Sequence, residues 1–91
     1  MNSKNDVYKI SLVSKTIPDE NSFHSRLQGA IGGFYFMEVG LPLRGWYEYE
    51  GALRMFFTSD ILNITEKEDG NIFFETKNTF YKFEKICSKE N

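Results

Sequence analysis

The stretch Ile61-Leu62-Asn63-Ile64-Thr65-Glu66-Lys67-Glu68-Asp69-Gly70-Asn71-Ile72-Phe73-Phe74-Glu75-Thr76-Lys77-Asn78-Thr79-Phe80-Tyr81-Lys82-Phe83 decides the fold. Glu68-Asp69-Gly70-Asn71 is a strong turn signal, because Asp-Gly tolerates the positive φ of a tight hairpin. Apolar runs lie on both sides of it, so Ile61–Glu66 and Ile72–Thr76 are predicted to pair antiparallel. Lys77-Asn78-Thr79 makes a second tight connection, where Asn78 is one of the residues that tolerates a left-handed conformation. Phe80 to Ile86 is then the last strand.

Working upstream, Leu53 to Phe57 reads as a strand that continues into Ile61–Glu66 through a bend or bulge at Thr58-Ser59-Asp60. Six of the seven glycines fall between Gly29 and Gly51. Gly32-Gly33 opens a strand over Phe34–Val39, with Phe34 and Phe36 on one face and Tyr35, Met37 and Val39 on the other. Gly40 to Gly45 is turn-rich. Trp46-Tyr47-Glu48-Tyr49-Glu50 then alternates aromatic and acidic residues after Trp46, which leaves one face for solvent. Near the N-terminus, Val7 to Lys15 alternates with period two and is a half-buried strand. Pro18, Asp19 and Glu20 suit a first helical turn. Phe23, Leu27 and Ile31 recur at spacing four, and Gly29 suits a C-cap. A short helix over 18–28 is therefore expected.

The order strand, helix, then a meander places the chain in the α+β class. The expected architecture is a strongly bent antiparallel sheet or SH3-like small barrel of about five to six strands, with one short helix after the first strand. The expected core is Tyr8, Ile10, Leu12, Phe23, Leu27, Phe34, Phe36, Ile61 or Leu62, Ile64, Ile72, Phe74, Tyr81 and Phe83. A length of 91 residues is one domain, 1–91, with 1–6 and 88–91 frayed.

Composition narrows the function classes. The formal charge of −2 gives no long-range attraction to phosphate backbones. One cysteine, Cys87, rules out an intramolecular disulfide, so a cytoplasmic setting is expected. No run approaches the ~20 apolar residues of a membrane span. The single histidine, His24, and Cys87 are too few for a structural zinc site, and no metal or cofactor is expected. His24 reads as a solvated helix-face residue beside Glu20. Glu48 and Glu50 share a strand face as solvated carboxylates. Gly29-x-x-Gly32-Gly33 lacks the Gly-Lys-Ser/Thr end of a phosphate loop, and its helix precedes the glycines. No catalytic set emerges, and the chain reads as a non-enzyme.

Two resemblances bear on function. Thr58-Ser59-x-Ile61-Leu62-x-Ile64, an acidic-Gly turn, and Phe74-x-Thr76-x-Asn78-Thr79-x-Tyr81 together resemble a pattern in small uncharacterised proteins of bacterial phages and mobile elements. Thr79 stands where that pattern has serine. The resemblance implies a compact β domain and an accessory role of the phage type, such as inhibition of a host defence factor, and transfers no catalytic residue. Gly33-Phe34-Tyr35-Phe36-Met37-Glu38-Val39 partly resembles the RNA-stacking strand of the RRM. It departs where that strand works: the leading basic residue is absent, Tyr35 replaces a small residue, and Val39 replaces an aromatic.

The remaining candidate surface is the glycine-bounded aromatic stretch from Leu41 to Phe57. Trp, Tyr and Arg dominate interface hot spots, and a chain with fifteen aromatic rings this small cannot hide them all. Arg44, Trp46, Tyr47, Tyr49, Arg54 and Phe56 are the predicted partner-binding residues. The partner is expected to be a protein, with a homodimer through an edge strand as a further expectation. The alternative is single-stranded nucleic acid or a small molecule on an aromatic sheet face such as Phe34/Phe36. Scarce basic residues between positions 27 and 66 count against nucleic acid.

Overall fold

A computed structural model describes residues 6–15 and 26–88. Six strands follow in order: β1 (Asp6–Ser14), β2 (Ile31–Phe36), β3 (Pro42–Tyr49), β4 (Ala52–Glu66), β5 (Ile72–Thr76) and β6 (Thr79–Ser88). Each pairs antiparallel with the next, and β6 pairs back to β1, so the sheet closes into a barrel. Closure distinguishes it from an open bent sheet and leaves the strands in simple up-and-down order.

The expected helix over 18–28 lies mostly on residues outside those described. Within the described part only Arg26 and Leu27 are helical, so no helix after β1 is seen. Leu27 is nonetheless fully buried. Gly29 ends this segment at φ 80°, and its N–H donates to the Ile10 carbonyl at 2.7 Å. Phe23 and His24 also lie outside the described residues.

β1 alternates as its sequence dictates: Tyr8, Ile10 and Leu12 are buried, and Lys9 and Val13 are exposed. Its ladder with β6 runs its full length, from Asp6–Ser88 to Ser14–Thr79. The ladder with β2 is confined to Tyr8–Gly32 and Lys9–Ile31. Beyond it the Gln28 side chain takes a strand's place. Its Oε1 accepts from the Leu12 N–H at 3.1 Å, and its Nε2 donates to the Leu12 carbonyl at 2.7 Å. Both backbone groups of Leu12 on this edge are thereby satisfied.

The two turns read from sequence are present. Gly70 at φ 93° completes the first, where Asp69 Oδ1 accepts from the Asn71 N–H at 3.0 Å. Lys77-Asn78 makes the second as a two-residue connection between β5 and β6. Asn78 does not adopt the left-handed conformation; among described non-glycine residues that falls to Glu50.

The interior is lined from every strand. Phe74 and Tyr81 stack at 4.6 Å, and Phe83 packs against Tyr8 and Phe34 at 5.6 and 6.1 Å. Of the alternatives Ile61 and Leu62, Ile61 faces inward and Leu62 outward. Phe36 corrects the expected core. The register shifts between Phe34 and Phe36, so the alternation slips by one. Phe34 points in, Phe36 is 40% exposed, and Met37 is buried instead. β2 also begins at Ile31, so Gly32 and Gly33 lie within the strand rather than before it.

Those glycines are needed for close approach. A Cβ on Gly32 would lie 2.2 Å from the Trp46 carbonyl oxygen, a backbone atom that cannot step aside. Gly32→Ala is expected to destabilise the barrel by about 1–3 kcal/mol, the usual cost of overpacking. The midpoint of urea unfolding at unchanged slope measures it; an unchanged midpoint refutes the packing argument.

Candidate interaction face on β2, β3 and β4

The β3–β4 hairpin closes through Glu50-Gly51, both at positive φ (54° and 80°), on the pair Tyr49–Ala52. Two such residues give the turn whose twist matches the flanking strands. The register then sets Arg44 opposite Phe57, Trp46 opposite Met55 and Glu48 opposite Leu53. Strand alternation places these six side chains on the outer wall. Leu53, Met55 and Phe57 are 66%, 60% and 62% exposed.

β2 extends the same wall. Trp46 is half-buried because its indole lies over Gly33, where a Cβ would come within 2.8 Å of Nε1. Phe36, turned outward by the bulge, pairs with Arg44. Leu41 and Pro42 follow, pinned where the Gly40 N–H donates to the Ile61 carbonyl at 2.8 Å and the Ile61 N–H to the Leu41 carbonyl at 3.0 Å. Phe36, Leu41, Pro42, Arg44, Phe57 and Thr58 together line a shallow pocket of about 290 Å³. Thr58 shapes its floor: its hydroxyl accepts from the Leu43 N–H and donates to the Ser59 carbonyl. β3 therefore starts within the segment that the sequence marks as loop.

The six sequence-predicted residues divide among three places. Arg44 and Trp46 share the outer wall. Tyr47 and Phe56 are each 3% exposed and meet edge-to-face at 5.9 Å inside the barrel; they support the wall from behind and offer no surface. Tyr49 and Arg54 sit at the inner side of the hairpin end. The guanidinium carbons of Arg26 and Arg54 lie 5.8 and 5.6 Å from the Tyr49 ring centre, within cation–π range. The six predicted residues omitted Phe36, Leu41, Leu53, Met55 and Phe57. The alternation Leu53-x-Met55-x-Phe57 carried a signal for the last three.

The opposite wall differs. Phe73 has the Lys82 and Lys67 ammonium groups at 5.7 and 5.9 Å from its ring centre, and Phe80 has Lys15 at 4.7 Å. Its exposed rings are already engaged by the chain's own cations. Phe34 and Phe36 do not share a face, so the expected two-ring platform for nucleic-acid bases is not formed. Among the described residues no cluster of His, Cys, Asp and Glu is arranged to hold a metal ion. Nor is any described helix long and apolar enough to cross a membrane.

Among the described residues, two groups have a shifted pKa. Burial pushes the Tyr8 phenol well above its ordinary value, and the neighbouring Asp6 carboxylate, which accepts its hydroxyl at 3.4 Å, adds to the shift. Hydrogen bonds from the Lys15 ammonium and then from Asn63 Nδ2 hold the Glu75 carboxyl below the usual range.

No protein-family model, curated protein or solved structure matches the chain.

The Glu75 shift has a sign. A lowered folded-state value means the carboxylate contributes stability above the ordinary carboxylate range and loses it as pH falls through that lowered value. Glu75→Gln is expected to flatten the acid limb of the stability–pH curve. Parallel acid limbs for the variant and the parent protein refute it.

Proposed function

We propose that the chain is a non-enzymatic binding module that takes a protein partner on the outer wall of β2, β3 and β4. The observation that carries this reading is the continuity of the wall. Phe36, Leu41, Met55, Phe57 and Leu53 are large, apolar and 40–66% exposed, on β2, on β4 and in the turn that leads into β3. Continuous apolar surface rimmed by polar groups marks an interaction site. Trp46 and Arg44 supply the residue types that dominate hot spots. The shallow pocket beside Arg44 suits one apolar anchor from the partner with an acceptor close by.

On the resemblance of residues 58–81, we extend the proposal to an accessory protein of a phage or mobile element that occupies a host defence factor. A module of this kind works by covering a surface, so it needs rigidity and complementarity and no reactive group. A closed barrel favours that mode, because strands already paired to one another lose little ordering entropy on binding.

Affinity capture from a bacterial lysate, with immobilised chain as bait, tests the site. Trp46→Ala and Phe57→Ala are each expected to cost about 2 kcal/mol, a ~30-fold loss for any specifically captured protein. Arg44→Glu is expected to do the same. Circular dichroism and melting temperature should match the parent. Capture of the same proteins at the same affinity by all three folded variants refutes the assignment. Retention of single-stranded DNA or RNA at low salt, lost on Phe57→Ala, would replace a protein partner with a nucleic acid.

A further inference from the structure

β4 is longer than either neighbour and changes partner along its length. Ala52–Asp60 pairs with β3 on one side, and Ile61–Glu66 pairs with β5 on the other. Among the described residues, no strand pairs with the far edge of the 52–60 segment. The barrel is closed, yet among the described residues its hairpin carries an open edge. The two-residue turn closes on Tyr49–Ala52, so Ala52, Arg54 and Phe56 exchange their backbone hydrogen bonds with β3. The N–H and C=O groups of Leu53, Met55 and Phe57 therefore point to the open edge. These are also the three residues of the segment with large exposed apolar side chains.

We infer that this edge pairs with the same edge of a second copy, antiparallel, about a two-fold axis beside Met55. The inference goes beyond the proposed partner surface, because it uses the edge of β4 rather than the face of the wall. A two-fold about Met55 sets Met55 against Met55 and Leu53 against Phe57, in hydrogen-bonded pairs. Each of these three large apolar side chains then meets an apolar counterpart on the same face, the arrangement that stabilises cross-strand pairs. No carboxylate falls within the paired run, since Asp60 lies beyond it. Arg54 is drawn over its own Tyr49 ring, toward the hairpin turn and away from the axis. A register centred further toward the C-terminus is shortened, because β5 already occupies the edge from Ile61 onward. An isologous contact of this kind is closed, so it stops at two copies. The result is a continuous sheet β3-β4-β4-β3 that joins two outer walls into one.

Sedimentation of the full chain up to about 1 mM tests it. The parent chain is expected to show a concentration-dependent dimer. Met55→Lys and Met55→Glu each place like charges opposite one another at the axis, and each is expected to weaken the dimer about tenfold or more. An equimolar mixture of the two variants is expected to restore a heterodimer, an outcome that folding damage cannot produce. Trp46→Ala, which alters the wall and leaves the edge intact, is expected to dimerise as the parent does. A parent chain that is monomeric throughout overturns the inference, as does a pair of Met55 variants that dimerise separately as well as the parent. Loss of the dimer in Trp46→Ala alone would assign it to the wall and overturn the edge pairing.

Discussion

Closure of the barrel by β1 and β6 is the constraint on which the rest depends. The ladder joins the two ends of the described chain, from Asp6–Ser88 to Ser14–Thr79. Without it β6 would expose an edge, and Tyr8, Ile10 and Leu12 would lose Phe83 and Tyr81 as neighbours across the sheet. It also carries the longest loop closure in the molecule, whose entropic cost must be met before its contacts form. The meander from β2 to β6 consists of sequential hairpins and is local. The barrel is thus a set of cheap local pairings locked by one distant pairing.

Locking fixes where the aromatic rings can go. A barrel of six short strands has an interior of limited width, and Tyr8, Phe34, Tyr47, Phe56, Phe74, Tyr81 and Phe83 fill it. Gly45 makes room for Phe56, because a Cβ there would sit 2.6 Å from the ring. Large rings that do not fit are left outside. Phe73 on β5 and Phe80 on β6 lie beside lysines; Phe36 on β2 and Phe57 on β4 flank Arg44. The candidate surface is in this sense the excess of a core that is already full.

Local signals explain what could be read from the sequence. The Asp69-Gly70 and Lys77-Asn78 turns and the period-two alternation of β1 are determined by residues close in the chain. The misreadings come from register, which is a property of two strands together. Phe36 and Met37 exchange roles because β2 slips against β3 between Phe34 and Phe36. Tyr47 and Phe56 look like exposed aromatics in a glycine-rich stretch until pairing shows that both face inward. Pro42 signalled a loop but stands as the first residue of β3, a position where a missing N–H is tolerated. Of the candidate site, Arg44 and Trp46 were legible by residue type. Phe36 and Leu41 were not, because a bulge and a backbone crossing bring them there.

The Gln28 carboxamide has a consequence for how the barrel breathes. At the β1–β2 seam a single rotatable side chain does the work of a backbone residue, and it is exposed to water. A side chain can swing away without unravelling its neighbours, whereas a ladder residue cannot. Amide protons along this seam, that of Leu12 above all, should therefore exchange with solvent through openings far smaller than global unfolding. Amides on the β1–β6 side of the same strand should exchange only when the whole barrel comes apart. One strand would then carry two protection classes, alternating residue by residue according to which neighbour each N–H faces.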